Sequence, residues 1–150
     1  MSNPYAADKL IAQARQLAAE YRRTMGKPLP GISNEIAEHD AVRLLKLEPD
    51  PRPDTGWDAI DPESGRRIQI KSRTIFDESK SGQRIGQLKM NQEWDAVVLV
   101  LMDENYEPYE IYQARREDLE EFVDPSSSRA RRGAMSVARF KIVGELVWDQ

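Results

Sequence analysis

Apolar residues recur every three or four positions in the first third of the chain, which predicts two helices. The first helix starts near the Asn-Pro pair at 3–4 and stops at Gly26, a residue typical of helix ends. The second starts at Ser33 or Asn34, either of which could cap it, and runs to about Leu47. We expect the first helix to pack on the rest of the domain or on a partner protein.

A strict alternation of apolar and polar residues predicts a strand over residues 67–71, with two isoleucines facing a core and Gln69 and Lys71 facing the opposite side. The preceding residues 61–65 combine a proline, two acids and a glycine, a composition typical of a tight turn. We therefore expect 56–60 and the strand at 67–71 to form a β-hairpin.

The second half of the chain predicts further strands and short helices. Residues 94–102 form an apolar run typical of a buried central strand, and 107–112 form the next strand. A short helix is predicted over 117–122, and we expect another over 137–148, although its apolar residues fit neither period cleanly. Residues 74–91 are polar and contain glycine, which predicts a mobile loop beside the hairpin.

The order of these elements favours an α/β (α+β) fold, with a mixed central sheet flanked by helices and an extra N-terminal helix. A length of 150 residues suits a single domain. We expect a flexible joint at the three serines 126–128.

The hairpin places an acid, an amide and a lysine side by side. Folding it brings Asp58 opposite Ile68 or Gln69, depending on whether Gly65 forms a bulge. An aspartate and a glutamine carbonyl could share a hard cation, which prefers oxygen ligands, and Lys71 could orient or deprotonate a water. Metal polarisation of a phosphate, a positioned nucleophile and charge neutralisation are what phosphodiester hydrolysis requires.

The second helix supplies a further candidate carboxylate. Its apolar face is formed by Ala37, Ala41, Leu44 and Leu45. At about 100° per residue, Glu38 falls about 60° from the centre of that face, Glu35 about 120° and His39 about 160°. A carboxylate near the core is costly unless it has a partner such as a metal or a lysine, so we expect Glu38 to be the site glutamate, with Glu35 second. Taken alone, Glu38 reads as a boundary residue, and His39 is expected to be exposed.

This set of residues resembles the metal site of the PD-(D/E)xK nuclease superfamily, the restriction-endonuclease-like fold. Members carry an aspartate on one strand, an acid or glutamine on the next and a lysine two residues later, usually with a glutamate from an upstream helix. By position, Asp58, Gln69, Lys71 and Glu38 would take these places. The family pattern also implies the backbone carbonyl of Ile70 as a metal ligand. Gln69 departs from most members, which have Asp or Glu there, but some branches carry glutamine.

The resemblance covers roughly residues 33–114, which would be the nuclease-like core, with an N-terminal helix and link at 1–30 and a C-terminal helix and tail at 115–150. It implies a nuclease that uses Mg²⁺ or Mn²⁺, with DNA as the expected substrate. Two alternatives stay open. One is a nucleic-acid-binding module on the same fold that has lost catalysis, and the other is a protein-interaction or accessory domain.

Basic residues are unevenly distributed along the chain. The net charge of −4 argues mildly against a general nucleic-acid binder. Two basic runs flank the predicted site, however, and either one alone is commonly just a solvated face. Together they favour a groove that neutralises phosphates. The expected nucleic-acid contacts are Arg66, Arg67, Arg73, Lys80, Arg84, Lys89, Arg131 and Arg132.

Several functional classes are excluded by composition. The chain has no cysteine, which rules out thiolate metal sites, disulfides and cysteine nucleophiles, and its single histidine rules out a histidine-rich metal site. No apolar run has the length of a signal peptide or a bilayer span, so we expect a cytoplasmic protein. A homodimer, or a protein partner bound through the N-terminal helix, is compatible with the sequence.

Overall fold

The structure, a computed structural model, describes residues 4–50, 52, 56–77, 83–86, 88, 90, 92–123 and 135–150. Within these ranges the helices are α1 Pro4–Met25, α2 Ser33–Leu45, α3 Arg116–Val123 and α4 Val137–Val143. The strands are β1 Glu48–Pro49, β2 Ala59–Ile60, β3 Arg67–Thr74, β4 Ala96–Met102, β5 Pro108–Arg115 and β6 Glu145–Asp149. No helix in these ranges is long and apolar enough to cross a bilayer.

The six strands form one mixed sheet in chain order, from β1 to β6. All neighbouring strands are antiparallel except β3 and β4, which run parallel. Helices cover both faces, and α1 is the extra N-terminal helix. The predicted α+β class, with a mixed sheet flanked by helices, is confirmed.

The sheet separates two hydrophobic cores. On one face, Ile68 and Ile70 of β3 pack with α1, α2 and alternate residues of β4. On the other face, the remaining β4 side chains pack with α3, α4 and the connection between β3 and β4. Every residue of β4 is buried, as predicted for the central strand. Because strand side chains alternate, Gln69 and Lys71 lie on the second face.

Helix α1 has the predicted bounds but does not bury its whole apolar stripe. Ala18 and Ala19 are buried, and Ile11 packs against the core. Leu10 and Leu17, which share the predicted apolar spacing, are 64% and 55% exposed. The two alanines and Ile11 therefore form the apolar contact with the domain, and the two leucines remain at the surface.

The predicted cap of α2 is wrong. Ile32 occupies the N-cap position and makes no side-chain cap hydrogen bond, while Ser33 is already helical. At the other end the helix stops at Leu45, because Lys46 adopts a left-handed conformation with φ of 56°. Leu47 follows as a buried residue outside the helix.

The single helix expected over 137–148 is also wrong, since this stretch contains α4 and then β6. Gly144 lies between them in an extended conformation. A Cβ atom at Gly144 would come within 2.9 Å of the Gln113 carbonyl oxygen, so only glycine allows the chain to pass this close to β5. Beyond it, Trp148 pairs with Ile111.

The segment predicted as a mobile loop is packed where the structure describes it. Ile85 and Leu88 are buried in the second core. Arg84 forms an antiparallel bridge with Ser136, and the Ile85 N–H donates to the Met135 carbonyl at 3.0 Å. The predicted serine joint at 126–128 lies outside the described residues.

Candidate functional site

The predicted hairpin is formed by β2 and β3. Ala59 pairs with Ile68 in antiparallel register. In the turn, Gly65 has a φ of +75°, which favours glycine, and its N–H donates to the Asp61 carbonyl at 2.7 Å. The Asp61 carboxylate accepts bonds from within the turn, including one from the Ser64 hydroxyl at 3.0 Å. These bonds fix the register that sets the position of Asp58.

Asp58 lies where the pairing of β2 with β3 stops. Its N–H donates to the Ile68 carbonyl at 2.8 Å, and its Oδ2 accepts from the Ile70 N–H at 2.7 Å. The carboxylate thus takes the place of a backbone acceptor at the edge of β3. The N–H and C=O of one strand residue point to the same neighbour, so the Ile70 carbonyl points to the edge that carries Asp58.

Glu38 of α2 reaches this same edge. Its half-buried carboxyl hydrogen-bonds the Asp58 carboxylate. Burial, the charge of Asp58, this hydrogen bond and the charge of Glu35 together raise the pKa of Glu38 to about 7. Near pH 7 Glu38 therefore holds its proton about half of the time. The structure brings Glu38 and Asp58 together, while Glu35 is exposed and acts on Glu38 only through its charge.

Gln69 is buried with an unsatisfied side-chain oxygen. The residue is 7% exposed, and its Oε1 is inaccessible and has no hydrogen-bond partner among the described residues. Leaving a buried carbonyl oxygen without a donor costs about 1–3 kcal/mol. An oxygen of this kind marks a place that a water or a cation could occupy.

Lys71 lies two residues beyond Gln69 on the same face of β3 and is half-buried. The segment 83–86 passes over its amine: a Cβ atom at Gly86 would lie 3.6 Å from the Lys71 Nζ. The lysine head group therefore lies against the connection between β3 and β4 at Gly86.

These groups fit a hard cation better than a soft one. The part of the chain that the structure describes has no group of three or more His, Asp or Glu side chains placed to hold a metal. A metal here would depend on two carboxylates, Glu38 and Asp58, with neutral oxygens completing the shell. Carboxylate, amide and backbone carbonyl oxygens are the ligands that Mg²⁺ and Mn²⁺ accept.

The basic residues expected to contact nucleic acid differ in their surroundings. Arg67 donates to Asp95 at 2.9 Å and to Glu93 at 3.1 Å, and it stacks on Trp57. Its hydrogen bonds hold the pKa of Asp95 below the ordinary value. Because Arg67 is already balanced by two acids, it is a weaker candidate for a phosphate contact than its position in the sequence indicates.

Three other members of that set, Arg66, Arg73 and Arg84, are exposed. Arg66 ends the hairpin turn, Arg73 lies near the end of β3, and Arg84 lies on the connection that covers the second face. Outside the described residues are Lys80, Lys89, Arg131 and Arg132.

A buried ion pair that the sequence pattern did not predict joins α1 and α2. Asp40 of α2 is wholly buried, and Arg15 of α1 donates to its two oxygens at 2.7 and 3.0 Å. Arg15 also donates to the backbone carbonyl of Tyr106. A signal existed, since Asp40 comes three residues after Ala37 on the apolar stripe of α2.

His39, expected to be exposed, instead contacts α1. Its Nε2 lies 2.8 Å from the Asp8 Oδ1, and its side chain is partly covered. The contact joins the two helices and lies away from the Glu38–Asp58 pair on the helix surface.

Comparison with known proteins assigns no family to the chain. A scan against protein-family models and a search of curated proteins found no match. The relation to the PD-(D/E)xK superfamily stays a prediction that depends on the residues and contacts described above.

Proposed function

We infer that this protein is a metal-dependent nuclease that hydrolyses phosphodiester bonds in nucleic acid, with DNA as the expected substrate. The observation that carries this proposal is the contact between the carboxyls of Glu38 and Asp58. The negative charge of Asp58 disfavours ionisation of Glu38 beside it. A divalent cation that replaces the proton of Glu38 would satisfy both, and Mg²⁺ or Mn²⁺ suits these oxygen ligands.

Four groups would hold the metal in this proposal. Glu38 and Asp58 supply the negative charge, and the Ile70 carbonyl is directed to the edge that carries Asp58. Gln69 would supply its unpartnered Oε1. Because Gln69 is neutral, the site has one charge fewer than a site with three acids, and we expect weaker metal binding.

A bound Mg²⁺ or Mn²⁺ would polarise the scissile phosphate and make a bound water more acidic. Lys71 would orient the attacking water and stabilise the negative charge that develops on the phosphate. Asp58 is held in position by the Ile70 N–H, so its orientation is fixed before substrate binds. The proposed site therefore combines Asp58, whose orientation is fixed, with the amine of Lys71 on the second face of the sheet.

The substrate surface would be formed by the exposed basic residues around the hairpin. Arg66, Arg73 and Arg84 are exposed, and the proposal extends to Lys80, Lys89, Arg131 and Arg132. Each phosphate contact that a substitution removes should reduce the slope of log K against log salt concentration by about one, because one counterion fewer is released on binding.

A cleavage assay with Lys71→Ala tests the proposal. Wild type should cut at least one of single-stranded, duplex, branched or modified DNA, or RNA, in Mg²⁺ or Mn²⁺, and Lys71→Ala should not. The matched control is Lys9→Ala, which removes an exposed lysine of α1 and should leave cleavage unchanged. Urea unfolding of both variants checks that they remain folded. Cleavage retained in a folded Lys71→Ala protein would overturn the assignment.

A second candidate function is a nucleic-acid-binding module without catalysis. The neutral Gln69, where most members of the resembled family carry an acid, favours it. Such a protein would bind nucleic acid in a salt-sensitive manner and show no metal-dependent cleavage. Gln69→Glu would then be the informative variant, because it supplies the third acid at the same position.

Location and assembly remain part of the proposal. A cytoplasmic nuclease acting as a homodimer, or with a protein partner bound through α1, is compatible with the exposed Leu10 and Leu17. Sedimentation of the purified protein would show whether it self-associates. A protein-interaction domain with no enzymatic role would show neither metal nor nucleic-acid affinity in the assays above.

A further inference from the structure

A cavity of about 440 Å³ lies between the start of α2, the end of β3 and Tyr106. Its size falls within the range of small-ligand sites. The Ser72 hydroxyl donates to the Asn34 Oδ1 at 2.8 Å and ties two of its walls together. The cavity is not lined by the four candidate site residues, which are Glu38, Asp58, Gln69 and Lys71. The sequence pattern did not predict this cavity.

The start of α2 lines the cavity through Ser33 and Asn34. The first backbone bond of the helix runs from the Ile36 N–H to the Ile32 carbonyl at 3.2 Å. The N–H groups of residues 33–35 therefore have no acceptor within the helix, and Ile32 provides no side-chain cap. Backbone donors and the positive end of the helix dipole favour an anion at this position.

Two buried hydroxyls in the cavity walls add an independent observation. Tyr106 is wholly buried and its hydroxyl has no hydrogen-bond partner among the described residues. The Thr74 hydroxyl is likewise inaccessible and unpartnered. Burial raises the pKa of Tyr106, so the phenol keeps its proton and remains a donor. An unsatisfied buried hydroxyl is costly, and a ligand oxygen would satisfy it.

One arginine lines the same cavity and a second lies beside one of its wall residues. Arg73 is exposed and lines it. Arg22 lies over the ring of Phe76 at 4.5 Å, and Phe76 contacts Tyr106 edge-on at 5.9 Å. Backbone N–H groups, hydroxyl donors and guanidinium groups together are the chemistry that binds phosphate.

The cavity and the Glu38–Asp58 pair lie along the same two elements, α2 and β3. Asn34 precedes Glu38 by about one turn of α2, and Arg73 follows Ile70 by about 10 Å along β3. A nucleic-acid strand that runs along this seam would present a phosphate to the cavity while a neighbouring bond lies at the carboxyl pair. A terminal phosphate has three free oxygens and nearly two negative charges, which matches this number of donors.

We propose that this cavity binds the phosphate at the end of a nucleic-acid strand and so positions a bond near that end for cleavage. The proposal rests on the nuclease function inferred above. It assigns Tyr106, Thr74 and Arg73 as positioning residues and predicts that the enzyme acts from phosphorylated ends.

Direct binding without metal tests the proposal separately from cleavage. In EDTA, fluorescence anisotropy would compare oligonucleotides with a 5′ phosphate, a 3′ phosphate or neither. We expect one phosphorylated form to bind tighter than the unphosphorylated form by on the order of tenfold or more, and inorganic phosphate to compete. Whichever end is preferred identifies the direction of action.

Three variants test whether the cavity residues cause the preference for a phosphorylated end. Tyr106→Phe and Thr74→Val each remove one hydroxyl, and both should reduce the preference for the phosphorylated end several-fold while leaving stability unchanged or higher. Arg73→Gln should reduce it further. The matched control is Arg115→Gln, an exposed arginine at the end of β5 that does not line the cavity. Its end preference should equal that of wild type.

The outcomes separate this proposal from the nuclease function. An end preference that Tyr106→Phe reduces, in a protein that cuts nothing, would support the cavity and overturn the nuclease. Metal-dependent cleavage without any end preference would support the nuclease and overturn the cavity. Binding of inorganic phosphate without an end preference, or a preference unchanged in all three variants, would also overturn it.

Discussion

Two of the three acids of helix α2, Glu38 and Asp40, have opposite surroundings. Asp40 is wholly buried, and both of its oxygens accept bonds from Arg15. Glu38 is only half-buried, yet it faces another acid, Asp58. The two side chains point to different sides of the helix because they are about 200° apart.

The charge of the partner, rather than the depth of burial, distinguishes Asp40 as a structural acid from Glu38 as a candidate metal ligand. Asp40 is the more deeply buried acid, but Arg15 neutralises it, and the pair joins α1 to α2. Glu38 instead faces the negative charge of Asp58, and burial together with this charge raises the pKa of Glu38 to about 7. The first arrangement stabilises the fold, while the second is the place where the proposed function puts a cation.

Removing the charge of Asp58 should have the largest effect. Asp58→Asn keeps an oxygen that can accept from the Ile70 N–H but loses the anionic ligand. We expect cleavage to fall on the order of 10³-fold or more, with stability unchanged or higher because a like-charge contact is lost. Single-turnover cleavage and urea unfolding measure the two quantities. Glu63→Gln in the exposed turn is the control, and equal cleavage in the two variants would contradict the assignment.

Removing the cation beside Asp40 should lower the stability of the fold, in contrast to Asp58→Asn. Arg15→Ala leaves a buried carboxylate without its partner, so we expect the free energy of unfolding to fall by about 3–5 kcal/mol. Glu38→Gln should show no such loss. Urea denaturation of both variants checks this contrast. A loss in Arg15→Ala no greater than that in Glu38→Gln would mean that the ion pair is not the stabilising feature of α2.

Metal binding at Glu38 and Asp58 should stabilise the folded protein. At a free Mg²⁺ or Mn²⁺ concentration of 100 times Kd, the gain should be about 2.7 kcal/mol. Thermal unfolding with and without the metal measures it. Asp58→Asn should abolish the gain, and Glu63→Gln should retain it. The same stabilisation in wild type and Asp58→Asn would place the metal elsewhere.

The smallest expected effect is the pH dependence of stability without metal. Folding raises the pKa of Glu38 from 4.5 to about 7, so the folded state holds a proton that the unfolded chain has released between these values. The stability from this proton is fully present below pH 4.5 and is lost as the pH rises through about 7.

Glu38→Gln removes the titrating group and should flatten this part of the profile. The difference between wild type and Glu38→Gln isolates Glu38 from other titrating groups, among them Asp95. Urea unfolding at a series of pH values in EDTA gives both curves. Parallel curves would show that Glu38 has an ordinary pKa.

The parts of the site that the sequence predicts are those set by local pattern. The alternation at 67–71 and the turn at 61–65 determine the hairpin and hence the position of Asp58. The helical period of α2 turns Glu38 towards the domain, where it meets Asp58. Each inference needs only neighbouring residues and one element boundary.

The parts that the sequence does not predict depend on pairing between distant segments. Arg15 and Asp40 meet across two helices, and Arg67 and Asp95 meet across the parallel pair of strands. The region 137–148 fits neither period because it holds a short helix and a strand, and the strand forms only by pairing with β5. Charge alone likewise could not show that Arg67 is already balanced by acids.

The parallel pairing of β3 with β4 has a consequence for the order of folding. Ile68 pairs with Ala96, so this contact closes a long loop, whereas Asp58 and Ile70 are joined by the short hairpin. Closing a longer loop costs more chain entropy, and long-range pairing slows folding. We expect the hairpin, with its bond from Ile70 to Asp58, to form before the central strands associate. Asp58 would then already be held against β3, and its contact with Glu38 would form only when α2 packs on the sheet.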